Sequence, residues 1–248
     1  FLVGEIIQRV TGKKFSDLVQ SEIAKPLDLD GLYIGAPEEE IPRAAQLIFP
    51  DSTRRLSRTS LGQSLERQAS RLSSALRTLG VDSDLSSIFD ALAPRGISDF
   101  DFGSPESLRV ALPAGNGLFT ARSLAKMYAM LANGGEFDGH RLLSAETIEQ
   151  ASTLQKPTGR HSVIPFDMRW RLGYHAVATT RGFPRKAFGH FGFGGSGAWA
   201  DPSRQLSVAL IVNSGLGSPF GDVRTARMGG AALACANARS RRSVGLLR

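Results

Sequence analysis

Cysteine is almost missing from the chain: Cys235 is the only one in 248 residues. That excludes a disulfide framework and any cysteine-rich zinc site. Long apolar runs are missing too, and without about 18 consecutive apolar residues there is no transmembrane helix. Histidines number four, and His161 and His175 lack acidic partners at metal-ligand spacing, so neither a metal nor another cofactor is expected. A starting methionine is absent as well. A helical pattern is already under way at Phe1, so the sequence reads as a fragment whose targeting region is not included. The compartment stays open, with the lone cysteine sitting most easily in the cytoplasm.

What is present is ordinary for a folded protein. Apolar residues make up 42% and charged ones 21%, which excludes wholesale disorder, collagen and coiled coil. The length suits a sizeable core, and with no repeat or clean linker one domain over 1–238 is the simplest reading. The net charge of +7 is unevenly spread. Residues 239–248 hold Arg239, Arg241, Arg242 and Arg248 with no acid, and read as a disordered basic tail. Segment 51–80 is also basic, while 82–106 reverses sign. Adjacent blocks of opposite charge suggest a mutually compensating surface. No aromatic residue interleaves the basic stretches, so nucleic acid is not an expected partner.

Hydrophobic spacing predicts two helices over 1–25, the first closed by Gly12 and the second capped near Ser16 and Asp17. Residues 51–97 read as amphipathic helix and 99–110 as loop. A strong helix is expected after Thr120, ended by Asn133-Gly134-Gly135, and a short one after Ser144. From Met168 the period becomes strand-like, through Trp170, Leu172 and Tyr174. Further strands are expected over Lys186–Gly192, Ser196–Ala200 and Leu206–Asn213. Their short connections allow only antiparallel pairing. A last helix is expected over 222–238. The fold class is therefore α+β, an antiparallel sheet flanked by helices.

Several motif matches fail on context. Gly192 to Gly197 fits G-x-G-x-x-G, but a strand and not a helix follows, which excludes a dinucleotide site. Ser123-Leu124-Ala125-Lys126 matches S-x-x-K, yet it lies inside the helix after Thr120, and neither S-D-N nor Y-x-N occurs in the chain. It reads as a structural match. Lys156-Pro157-Thr158-Gly159 is an interrupted K-T-G in a loop. His190, on a strand between Gly189 and Gly192, is either structural or functional on its chemistry alone.

Three segments in order carry a resemblance. Phe1 to Lys13 with Pro26-Leu27, then Pro113 to Lys126 with Leu131 to Gly135 and Arg141 to Ser144, then Gly189-His190-Phe191-Gly192-Phe193-Gly194-Gly195-Ser196 with Trp199 to Pro202. Together they resemble the serine β-lactamase-related family, nearest to the class C-like esterases, in which His-x-Gly often stands where lactamases carry Lys-Thr-Gly. The resemblance implies a β-lactamase/transpeptidase-like fold whose nucleophile region lies outside this chain, and no catalytic partner beyond a small-molecule ester or amide.

The same resemblance implies an acyl-serine mechanism. His190 would take the place of the third-motif lysine, Gly192 would let substrate lie against the strand, and the Phe193 N–H would donate to the oxyanion. Asn116 would line the acyl pocket. A neutral histidine in place of a lysine removes a permanent charge that would engage a carboxylate, which favours uncharged esters. β-Lactamase or D-Ala-D-Ala carboxypeptidase-like activity, or a non-catalytic binding role on the same fold, are the alternatives. By itself the chain is expected to be inactive, and nothing in it fixes an oligomeric state.

Overall fold

The structure, a computed structural model, describes residues 2–48, 100–156, 167–192, 194–214 and 223–245. Helix α1 (Leu2–Thr11) stops at Gly12, whose φ of +67° suits a residue without a side chain. Helix α2 (Phe15–Val19) follows and runs on as a π-helical turn, Gln20–Ala24. The cap expected at Ser16–Asp17 is displaced. Lys14 holds the cap position without a side-chain bond, and the Phe15 N–H donates instead to Gln8 Oε1 at 2.9 Å. The chain then turns at Gly31 into β1 (Leu32–Ile34), which pairs antiparallel with β2 (Gly117–Phe119).

Two expectations change locally. Within the segment expected to be loop, α3 (Pro105–Arg109) forms because Ser104 accepts from the Ser107 N–H and Pro105 presets the first turn. The strand expected from Met168 shrinks to β5 (His175–Ala176), since Arg169 and Gly173 take positive φ and break the extended run. The amphipathic segment 51–97 and the Pro157–Gly159 loop lie outside the described residues.

The long helix α4 (Ala121–Ala132) starts as its sequence predicts, with Thr120 Oγ1 accepting from the Ser123 N–H at 3.2 Å. Gly134 and Gly135, both at positive φ, end it. A two-residue hairpin pair, β3 (Glu136–Phe137) and β4 (His140–Arg141), leads to α5 (Ala145–Ser152), capped by Ser144.

The main sheet has the order β5-β6-β7-β8, all antiparallel, with β6 (Phe188–Phe191), β7 (Gly197–Asp201) and β8 (Leu206–Leu210). Alternation along β7 sends its side chains to two different cores. Ala198 and Ala200 join Phe188, Leu124, Tyr128 and Leu131 under α4. Trp199 joins Val177, Phe191, Val208 and Leu233 under α6 (Val223–Gly245). A helix therefore covers each face of the sheet. Trp199 and Phe188 are fully buried, a contribution of about 2–3 kcal/mol each by transfer alone. Gly189 makes this packing possible: a Cβ there would lie 2.2 Å from the Ala198 carbonyl oxygen and 2.5 Å from the Trp199 Cβ. At the β7–β8 turn, the fully buried Asp201 carboxylate accepts from Ser203 and pairs with Arg204 at 2.7 Å.

Helix α6 reaches Gly245, so most of the stretch expected as a disordered tail continues the helix. Among the described residues no helix is long and apolar enough to cross a membrane.

Candidate active site

Strand β6 carries the residue of greatest chemical interest. Phe188 and His190 are two apart and share a face. Phe188 sinks into the core under α4, whereas His190 emerges exposed at the end of the strand. Its main chain pairs in register with Ala198 on β7 and lies within electrostatic reach of the Tyr128 hydroxyl of α4. Burial pushes the Tyr128 hydroxyl well above the ordinary tyrosine range, so it remains a neutral dipole. Tyr174, raised by burial as well, packs edge-on against both Tyr128 and Phe188.

Beside His190 lies a second imidazole. The His175 ring meets it edge to face, with centroids 5.2 Å apart and planes at 70°. His175 is buried, and its Nδ1 lies 2.9 Å from the Ala176 carbonyl oxygen. A carbonyl only accepts, so Nδ1 carries the proton and Nε2 keeps its lone pair. Trp170 and Phe191 hold the ring with centroids at 5.9 and 6.3 Å. Both histidines are held below the ordinary imidazole pKa. Loss of hydration to the surrounding rings is the main cause, followed by the neighbouring His175 for His190. Arg171 adds to the effect on His175. Its buried guanidinium donates to the carbonyls of Ser152, Arg169 and Arg185.

After β6 the chain reverses tightly. The Gly192 N–H donates to Ser196 at 2.8 Å and the Gly195 N–H returns to Gly192 at 3.1 Å, with Gly194 and Gly195 near φ +99° and +98°. Ser196 locks the turn to β8's extension, donating to and accepting from Val212. Arg224 of α6 donates to the Gly194 carbonyl and to Ser214. Unlike Gly189, Gly192 is not required by the protein's own packing. Among the described residues the nearest atom to a Cβ there would be the Ser196 oxygen at 3.7 Å, and its φ lies outside the left-handed region. Phe193 lies outside the described residues.

The other residues singled out from sequence have local duties. Asn116 is buried and spends both amide N–H groups on the carbonyls of Ser107 and Val110, while its Oδ1 accepts from the Leu112 N–H at 3.0 Å. This is a clamp on its own loop. It leaves no amide donor for an acyl pocket. Ser123, also buried, donates to the Asp30 carbonyl at 2.6 Å, and Lys126 Nζ donates to the Asp28 carbonyl at 2.7 Å. The S-x-x-K match is thus a tether between α4 and the turn before β1. His175 and Tyr128 were not selected from the sequence. Tyr128 reads there only as part of a buried stripe, and no spacing rule brings His175 beside His190.

The family model described as Beta-lactamase matches residues 1–233. A curated relative, "Esterase/beta-lactamase LipL" of Mycobacterium tuberculosis (strain ATCC 25618 / H37Rv), is 33% identical over 216 residues, 86% of this chain. The chain spans 46% of that relative's length, about half. Among solved structures, a penicillin-binding protein homologue from Caulobacter crescentus superposes with a TM-score of 0.71 at 30% identity, covering 94% of this chain and 56% of its own. A family VIII carboxylesterase superposes with a TM-score of 0.66 at 26% identity, covering 90% and 54%.

Proposed function

The chain belongs to the beta-lactamase family, and we propose that the intact protein is a serine hydrolase, a carboxylesterase acting on small uncharged acyl esters. The observation that carries this reading is His190, an exposed imidazole at the end of β6, beside a glycine that the protein's own packing leaves uncrowded. The names of the curated relative, an esterase/beta-lactamase, and of one structural relative, a family VIII carboxylesterase, support it.

In the proposed reaction a serine Oγ attacks the ester carbonyl, the alcohol leaves with a proton, and water then releases the acid. This chain supplies one wall of that site. His190 faces the substrate as a hydrogen-bonding, proton-handling group. Gly192 leaves room for the ester against the strand, and the Phe193 N–H is one oxyanion donor. Ser123 is engaged structurally, and the family resemblance implies an acylated serine elsewhere in the family domain. The 248 residues alone are therefore expected to lack esterase activity.

Substrate preference follows from charge. With its pKa held below the ordinary value, His190 is neutral near pH 7 and offers no cation to the carboxylate of a penicillin or peptide. The full-length protein should hydrolyse a panel of p-nitrophenyl acyl esters faster than nitrocefin, and His190→Ala should lower ester turnover by about 10²–10⁴. Faster nitrocefin turnover would replace the esterase reading with the lactamase one. Unchanged ester kinetics in His190→Ala would remove His190 from the site.

A further inference from the structure

The exposed His190 does not stand alone, and its neighbour is more rigidly held than it is. His175 is buried, bonded through Nδ1 to the Ala176 carbonyl, and flanked by Trp170 and Phe191. The space available to the His190 ring is bounded by a ring that has nowhere to go. We propose that His175 is a positioning residue for His190, a fixed edge-to-face brace that sets the orientation of the exposed imidazole. The proposal rests on the reading that His190 lines the esterase site.

Two imidazolium rings with centroids 5.2 Å apart would repel across a partly desolvated contact. A proton on one ring of the pair therefore disfavours a proton on the other. The other titratable and charged groups facing it do not offset this. Tyr128 of α4 meets the His190 main chain, and Tyr174, just before β5, packs on Tyr128 and Phe188. Both are kept neutral by burial. Arg171 stays charged throughout the accessible pH range, and acts against protonation of His175. Among the described residues, His175 is the neighbour that acts with desolvation to favour a neutral His190. A neutral imidazole offers one donor and one acceptor nitrogen, and the brace decides which of them reaches the substrate.

The test combines titration with kinetics in the full-length protein. The His190 imidazole signal, assigned by its loss in His190→Ala, should titrate below the ordinary value of about 6.5. In His175→Phe, which keeps a ring in place but removes the second proton site, that titration should move upward. The acidic limb of the kcat/KM profile for a p-nitrophenyl ester should move with it. Turnover should fall about 10- to 100-fold, as expected for a catalytic group displaced by up to an ångström, while KM changes little. A coincident titration and pH profile in wild type and His175→Phe would overturn the brace. Should the variant not fold, the wild-type titration decides: a single independent step for His190 at or above 6.5 overturns the proposal. Full activity of His190→Ala, by contrast, would overturn the underlying site reading, whatever the two rings do to each other's titration.

Discussion

The hydroxyl of Ser123 donates a 2.6 Å hydrogen bond to the main-chain carbonyl of Asp30, 93 residues earlier in the chain. Thr120 Oγ1 donates to the same carbonyl at 2.9 Å, and Lys126 reaches the Asp28 carbonyl one turn away. The start of α4 is thereby sewn to the turn that feeds β1. A serine and a lysine three residues apart on a helix look like nucleophile and base, yet here both are spent on carbonyls.

A consequence can be measured. Ser123→Ala should cost about 1 kcal/mol of stability, the usual net worth of one hydrogen bond, because Thr120 keeps the Asp30 carbonyl satisfied. Ester turnover of the full-length protein should stay within twofold of wild type. Thermal melting and steady-state kinetics together check this. Loss of turnover at unchanged melting temperature would restore Ser123 as a reacting group.

Asn116 should behave as a stability residue. Asn116→Ala removes three hydrogen bonds at once and strands the buried Ser107 carbonyl and the neighbouring loop groups. The expected loss is about 2–4 kcal/mol, as for other buried networks broken from one side. Denaturant melts should reveal it as a lower midpoint. A change in acyl-chain preference with the midpoint unmoved would instead place the side chain against substrate.

These two residues show where sequence reasoning reached and where it stopped. Caps and terminators act within a few residues, so Thr120, Ser144, Gly12 and Gly134-Gly135 were legible before any fold was known. So were the strands of β6, β7 and β8, whose short connections permit only antiparallel neighbours. The cap at α2 was not, because its donor is satisfied by Gln8 from the previous helix. The aromatic alternation before β5 misled for a similar reason: Arg169 and Gly173 adopt positive φ, which the hydrophobic period does not reveal. His190 was left open between structural and functional roles by its setting between glycines, and was singled out by the resemblance of Gly189 to Ser196 to the family's third motif. Its partner His175, 15 residues away and aligned only by the β5–β6 register, was not.

The histidine pair also makes a prediction about stability. Both imidazoles have pKa values below the ordinary 6.5 in the folded chain, through desolvation first. Below about pH 6.5 the unfolded chain therefore binds protons that the folded chain refuses. Their contribution to stability is complete above that pH and drains away as the pH falls toward the lowered folded values. The melting temperature of the full-length protein should fall between about pH 7 and pH 5.5, and His175→Asn should flatten that slope. Parallel slopes in the two proteins would show that His175 takes no part in it.

The two glycines flanking His190 give the sharpest contrast. At Gly189 an added methyl would meet the Ala198 carbonyl oxygen at 2.2 Å and the Trp199 main chain at 2.6 Å, inside a core where neither strand can yield. Gly189→Ala should cost about 3 kcal/mol or more, at or above the upper end of ordinary overpacking, and activity should fall because the fold does. At Gly192 the same methyl lies 3.7 Å from the nearest atom of the described residues and has no positive φ to oppose it. Gly192→Ala should therefore leave stability unchanged or raise it by about 0.4–1 kcal/mol, through the less flexible unfolded chain. If substrate lies against this edge of β6, ester turnover should nonetheless drop, because the methyl stands where the ester would. Melting curves and ester kinetics on both variants separate the two effects. A stable and fully active Gly192→Ala protein would mean that no substrate approaches there, and the wall assigned to β6 would have to move elsewhere on the sheet.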